Sequence, residues 1–378
     1  MEAKKLGIYC HIPFCIKKCD YCDFNSQACM DPQQIDTYFA ALKEEIRLSG
    51  NKEWCVDTLY IGGGTPSSVD GNKIADVISW LRQAFLFDPD CEITIEVNPG
   101  TVTEEKLTTY KKAGINRVSV GLQAWQDQLL QSLGRIHDQG QFIQTMENLK
   151  KTGFKNISVD LMYGLPGQTL LMVAESLREV LSFEPAHFSC YSLILEADTP
   201  MTQKVEKGEL NCPDEDLERE MHWLVDEMLE KNGYHHYEIS SYAKVGFESR
   251  HNLKYWELKD TLALGAGAHS FYKGERFANV SDRDQYVESL KKGSLPRTDR
   301  HRLSQGEWMS EWLFLGLRKL DGVNRQEFMD RFGSDYMLIY KEEIEKLIRQ
   351  KLLIKEGDDL KLTPKGQDFA NQVFMVFL

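Results

Sequence analysis

What most constrains this chain is a rhythm in which short β-rich runs are each followed by a longer amphipathic stretch. GIYCHI precedes a helical pattern over 33–48, TLYIGGG one over 72–86, and EITIEVNPG one over 103–113. RVSVGLQA leads into helices near 126–133 and 138–152, NISVDLMYGL into 169–182, and HFSCYSLIL into a charged helix over 214–232. Six strand-then-helix units in succession require a parallel sheet with helices outside it, because parallel neighbours need a crossover of that length. The expected class is therefore α/β, an open or partial (β/α)6 barrel over residues 1–236.

In such sheets the loops at the carboxyl ends of the strands form one rim, where reactive side chains gather. Gly64, Glu96, Gln123, Asp160 and Tyr191 all lie at or just past predicted strand ends, so they should face one cavity. Beyond Gly233 the βα rhythm gives way to YHHYEISSYA, HNLKYWELKD and TLALGAGAHSFY. Residues 237–300 are expected to connect the barrel to the C-terminal part of the chain and to close one side of the barrel. From about Arg302 the pattern turns helical, then gives two short strands about GDD and a last helix. Residues 301–378 thus read as a winged-helix-like domain. Acids and bases are mixed in it and no basic recognition helix stands out, so a lid or contact role is expected rather than DNA binding.

HIPFCIKKCDYCDF, starting at His11, places Cys15, Cys19 and Cys22 within eight residues. With His11 the three thiols could make a Cys3His zinc tetrahedron, but structural zinc usually draws on paired C-x2-C halves and no second half is present downstream. An iron–sulfur cubane normally takes four thiolates. Three on one loop leave one iron free for a small molecule, as a catalytic metal keeps an open position. The other six cysteines are isolated, and Cys10 sits on a strand as a core thiol. Nine cysteines, an odd number, and an opening MEAKKLGIYC without a charged-then-apolar leader point to a reducing, cytoplasmic setting. A net charge of −13 gives no global attraction to nucleic acid or to an anionic membrane. No apolar run reaches the roughly 18 residues needed to span a bilayer, and the terminal VFMVFL is expected to pack.

Y-x-H-I-P-F-C-x3-C-x-Y-C, from Tyr9 to Cys22, resembles the start of radical S-adenosylmethionine (SAM) proteins, in the branch of the oxygen-independent coproporphyrinogen III oxidases. The resemblance continues through GGGTPS (62–67), EVNPG (96–100), RVSVGLQ (117–123), LGRIH (133–137), DLMYGLPGQT (160–169), HNLKYW (251–256) and GAGAHS (265–270). It implies a [4Fe-4S] cluster on Cys15, Cys19 and Cys22, with SAM contacted by Tyr9, Tyr21, Gly63, Gly64, Thr65, Glu96, Gln123, Arg135 and Asp160. The residue types suit this. Glycines let backbone approach a ligand, Arg135 can hold a carboxylate in a fork, Glu96 and Asp160 can accept from hydroxyls or an amine, and Tyr21 offers a ring to adenine.

Two features separate the chain from those oxidases. Phe24 stands where they carry a further cysteine, and the long amino-terminal extension that they carry does not precede the thiols. The H-N-x-x-Y-W motif at 251–256 is instead similar to that of the related heme chaperones, which makes His251 the candidate heme ligand. His235, His236 and His269 are open as second ligands or as fold structure, and His269 is expected beside the SAM cavity. On residues alone, His251 is also readable as a hydrogen-bonded histidine packed beside aromatics. The resemblance implies a heme carrier that serves recipients such as respiratory enzymes, rather than an enzyme. A radical SAM enzyme acting on a porphyrin or heme and an iron- or redox-responsive interaction protein are the rivals. Transient contact with a membrane and pairing into a homodimer are both compatible with such a chain.

Overall fold

The structure, a computed structural model, describes residues 4–378. Strand β1 (Lys4–Ile12) is followed by α1 (Pro32–Ser49), β2 (Trp54–Gly63), α2 (Gly71–Ala84), β3 (Leu86–Val97) and α3 (Glu104–Ala113). Then come β4 (Arg117–Gln123), a short helix Asp127–Ser132, α4 (Gln139–Lys151), β5 (Asn156–Tyr163), α5 (Leu170–Leu181), β6 (His187–Ser192), a short helix Pro200–Glu206 and α6 (Glu215–Lys231). The helices start where capping chemistry allows. Asp31, Thr169 and Asp214 each accept a backbone N–H at a helix start, and Asp138 forms a capping box with Gln141.

β1 to β6 are parallel and adjacent in chain order, as the rhythm required. The sheet does not stop there. After β7 (His235–Glu238), β8 (Ser241–Ala243) and α7 (Arg250–Trp256), strand β9 (Thr261–Leu264) returns to pair in parallel with the free side of β1. β10 (His269–Tyr272), β11 (Glu275–Asn279) and β12 (Arg297–Arg302) extend that side antiparallel, while β8 and β7 do so beyond β6. The region between 237 and 300 is thus largely more of the same sheet, which remains open among the described residues: its first and last strands, β12 and β7, do not pair with each other.

The period-2 alternation divides the strands into two faces. Ile8, Cys10, Leu59, Ile61, Ile93, Ile95, Val118, Val120, Val159 and Phe188 belong to one buried core with the helices. The opposite, concave face is polar: Thr58, Thr94, Arg117, Ser119, Ser158, His187 and Ser189 are all buried there. An interior of this kind is maintained for what it holds, since buried polar groups are costly unless they are satisfied.

The second core is formed by Trp312, Leu313, Phe328, Tyr336, Ile344, Leu360 and Phe374, joined by Leu258 and Phe271 from the sheet extension. Helix Gln305–Gly316 opens this part, and strands Leu353–Glu356 and Asp359–Leu362 form the wing, turned by Gly357 at φ 64°. Phe377 in the terminal run is buried, so that run packs. The two parts join through backbone bonds from Ile239 N–H to Arg318 O (3.1 Å) and from Leu320 N–H to Tyr237 O (3.1 Å).

Candidate functional site

The three thiols lie on a loop closed at its base. Phe14–Cys15 pairs with Gln27–Ala28, and Cys29 N–H donates to Cys15 O at 3.1 Å. Three other segments grip it. Gly64 N–H donates to Ile12 O (2.9 Å) and Thr65 N–H to Phe14 O (2.8 Å). Asp20 N–H donates to Leu133 O (3.0 Å), beside Gly134 at φ 73°, where a Cβ would come within 2.6 Å of Asp20 Oδ1. The Asn25 amide donates to Ala266 O (3.1 Å) and Ser281 O (3.0 Å), which ties the loop to the GAGA turn. The motifs GGGT, LGR and GAGA, far apart in sequence, are therefore clamps on one loop.

Cys15 is buried, while Cys19 and Cys22 are half-buried. Burial pushes the Cys15 and Cys22 thiols up. Thr65 Oγ1 donates to Cys15 Sγ at 3.5 Å, and Arg135 Nη1 to Cys19 Sγ at 3.6 Å. The zinc reading fails on His11, whose Nε2 donates to Asn25 O (2.8 Å), leaving Nδ1 to accept from the Tyr9 hydroxyl (2.9 Å). Among the described residues no three His, Cys, Asp or Glu side chains converge to hold one metal ion. A four-iron cube takes each thiolate on a different iron and needs no such convergence. The donor set suits it: three thiols on one loop and, among the described residues, no fourth converging ligand, with a backbone cradle at Gly64, where a Cβ would come within 3.0 Å of Cys15 Sγ.

Beside the loop, the rim is held together by hydrogen bonds. Glu96 accepts from the Tyr60 hydroxyl (2.9 Å) and Gly63 N–H (3.1 Å). Burial, against the Tyr60 bond and helped by the charge of Asp160, pushes its carboxyl up to about 7. Asp160, also raised by burial, accepts from Ser119 Oγ at 3.1 Å. Arg135 Nη2 donates to Asn98 Oδ1 (2.7 Å) and Gly121 O (2.6 Å). Gln123 ends β4 at φ 75° after a register shift, with its amide next to Gly121. Gly63, at φ 116°, presses on the His11 ring. Tyr21 packs on the small core of Ala124, Leu129, Leu133 and Met201, and Tyr191 is exposed at the end of β6. Tyr60, Asn98 and Ser119 were missed from sequence, although the strand alternation that exposes Glu96 and Asp160 also places them on the concave face.

His251 lies elsewhere. Helix α7 is inserted at the amino-terminal half of the strands, away from the thiols. The N–H groups of Arg250 and His251 donate to the Glu92 carboxylate (3.2 and 3.1 Å), and Lys254 reaches Asp57 at 2.8 Å. The His251 ring is 1% exposed, and both nitrogens are engaged, Nδ1 with Thr58 Oγ1 (2.9 Å) and Nε2 with the Tyr255 hydroxyl (3.0 Å). Burial, then Lys254 and Arg117, hold its pKa down to about 3. As placed it is a neutral, fully hydrogen-bonded ring, and iron could reach it only by displacing a partner. The other histidines do not gather around it. His235 is exposed on an edge strand, and His236 pairs with Asp226 (3.2 Å) and stacks on Tyr242 (4.2 Å). His269 is exposed, and in its motif it is Gly265 and Gly267 that press on the segment carrying His11 and on Asn25.

Residues 9–180 match the model of the Radical SAM superfamily, and residues 303–369 that of the HemN C-terminal domain. The fold is similar to that of coproporphyrinogen III oxidase (HemN) from Escherichia coli, with a TM-score of 0.85 at 23% identity over 99% of this chain and 90% of that one. Fold and thiol loop together define a protein of the radical SAM class. The chain is 37% identical to the heme chaperone HemW of Bacillus subtilis over 98% of each chain. It is 36% identical to that of Lactococcus lactis (100% and 98% covered) and 31% to that of Escherichia coli K12 (100% and 99%). This chain belongs to the HemW family.

Proposed function

We propose that the protein is a heme chaperone that binds heme and passes it to recipient hemoproteins such as respiratory enzymes, and that it carries a [4Fe-4S] cluster and SAM. The observation that carries the cofactor half is the loop with three thiols and, among the described residues, no fourth ligand, clamped by GGGT and LGR. Cys15, Cys19 and Cys22 would hold the cluster, which when bound supplies an iron for the amino-acid end of SAM and an electron. In this reading Arg135 would orient a carboxylate, and Glu96 and Asp160 would accept from hydroxyls or an amine. Gly63, Gly64 and Thr65 give backbone access, while Tyr9, Tyr21 and Gln123 complete the wall.

The chaperone half rests on the full-length likeness to HemW proteins and on Phe24, which is 59% exposed where the oxidases carry a cysteine. Heme ligation by His251 requires the ring to leave Thr58 or Tyr255. No helix among the described residues is long and apolar enough to cross a membrane, and a cytoplasmic chain that pairs into a homodimer and touches a membrane only transiently fits this reading.

The test is anaerobic reconstitution followed by heme titration. The sample should hold four irons and four sulfides and shift the Soret band of heme, and His251→Ala should lose that shift. Release of carbon dioxide from coproporphyrinogen III would overturn the chaperone assignment in favour of a porphyrin enzyme.

A further inference from the structure

At the end of the sheet away from the thiols, a cavity of about 340 Å³ opens where β1, α7, the β10–β11 hairpin and the C-terminal domain meet. Its charge is unusual for a chain with a net charge of −13. Lys5, Lys254, Lys259, Lys273 and Arg331 line it, against the single carboxylate of Asp260. Three of these cations are paired: Lys5 with Asp88, Lys259 with Glu257, and Lys254 with Asp57.

Two are not. Lys273 and Arg331 have no carboxylate within ion-pair distance among the described residues. Lys273 lies over the rings of Trp54 (5.8 Å) and Tyr272 (5.1 Å). Arg331 lies over Trp308 (5.6 Å) and donates only to the carbonyls of Glu257 (3.1 Å) and Leu258 (2.8 Å).

Two buried donors around the cavity have room for a further acceptor. Lys254 is 5% exposed and has three protons to donate, yet its one close oxygen, Asp57 Oδ1, receives no well-directed hydrogen bond. The indole N–H of Trp308, in the wall, finds no acceptor either. A donor buried without a partner, as at Trp308, carries a desolvation cost that an incoming anion would relieve. The volume is at the lower end of the roughly 300–1,000 Å³ of ligand sites, suited to the edge of a larger molecule, and Phe271 and Trp308 supply an aromatic wall for its body.

We infer that this cavity is a carboxylate-binding pocket that takes the propionate edge of heme, with Lys273 and Arg331 as the primary cations and Lys254 completing the site. The choice of heme rests on the chaperone reading above. Lys254 is three residues after His251, so both lie on the side of α7 turned to the sheet, and the pocket adjoins the motif that supplies the candidate iron ligand.

The experiment compares heme with heme dimethyl ester, whose carboxylates are blocked, on the full-length wild type and on Lys273→Gln/Arg331→Gln. The wild type should bind heme roughly tenfold or more tighter than the ester, the preference shrinking with added salt. The double variant should bind heme only as well as the ester, with ester affinity unchanged. If thermal unfolding shows the double variant to be damaged, Lys273→Gln alone, at an exposed hairpin position, should still remove part of the preference. Equal wild-type affinity for both ligands, or a preference that survives the substitutions, overturns the pocket. A wild type that binds neither ligand overturns the chaperone reading and this inference together.

Discussion

The two ends of the sheet are built from opposite materials. At the carboxyl ends of the strands, the rim is loop and backbone. Gly63 and Gly64 admit close approach, the thiol loop is clamped by hydrogen bonds to main chain, and Cys19 and Cys22 stay half-buried. Toward the amino ends, the sheet is plugged by a regular helix whose His251 and Lys254 are buried and held by side chains of β2 and β3, Asp57 near the start of β2 among them. The rim leaves backbone and two thiols open to approach, whereas in the plug both ring nitrogens of His251 are already engaged, and it is Lys254 that lines the cationic cavity. Single substitutions should therefore act differently at the two ends, on cluster content at the first and, in ligand-free protein, on stability at the second.

The largest contrast is expected between Cys19→Ser and His251→Ala. Removing the Cys19 thiol takes away one of the three proposed cluster ligands at a half-buried site, so iron and sulfide should fall close to zero after reconstitution while unfolding of the cluster-free protein barely moves. His251→Ala should do the reverse. It strands the Thr58 and Tyr255 hydroxyls and leaves a cavity beside Tyr60, a loss of about 2–3 kcal/mol in chemical unfolding, with iron content kept. A Cys19→Ser protein that retains a full cluster, or a His251→Ala protein as stable as the wild type, would break the distinction.

A smaller effect belongs to the clamp itself. Gly63 sits at φ 116° with its missing Cβ only 2.6 Å from the His11 ring, so Gly63→Ala must strain the backbone and push His11 off Tyr9 and Asn25. A cost of about 1–3 kcal/mol is expected, together with weaker SAM binding. Equilibrium unfolding and SAM titration measure the two.

Sequence exposed these ends unequally. The rim was readable because βα periodicity places strand ends, and strand ends in a parallel sheet share one edge, which brings Glu96, Gln123 and Asp160 together on pattern alone. The thiol spacing marks the loop as a candidate ligand set. Nothing local announces that β9, some 250 residues after β1, pairs beside it, because strand order is set by long-range packing rather than by period. The same applies to His251. Its motif reads as a ligand with aromatic neighbours, and only the tertiary contacts with Thr58 and Glu92 reveal both ring nitrogens in use. Asn25, which joins the loop to the GAGA turn, carries no signal of its own among polar loop residues.

Whether the ends are joined is a separate test, read on the shape of a pH profile. Tyr60 is stacked between Tyr9 (6.2 Å, 26°) and His251 (5.3 Å, 30°), and its hydroxyl holds Glu96, so one side chain touches both the plug and the rim. The Glu96 carboxyl is raised from its ordinary 4.5 to about 7, which means that the folded state favours the protonated form. Its contribution to stability is full below about 4.5 and is lost as pH rises toward 7, at about 1.4 kcal/mol per pH unit before relaxation. Glu96→Gln should flatten that window in cofactor-free protein. Tyr60→Phe deletes a hydrogen bond that lowers the Glu96 pKa, so the declining stretch should extend above pH 7, on top of a pH-independent loss of about 1 kcal/mol. Chemical unfolding from pH 5 to 9 reads both. A Tyr60→Phe profile parallel to the wild type would separate Glu96 from the plug and leave the two ends energetically independent.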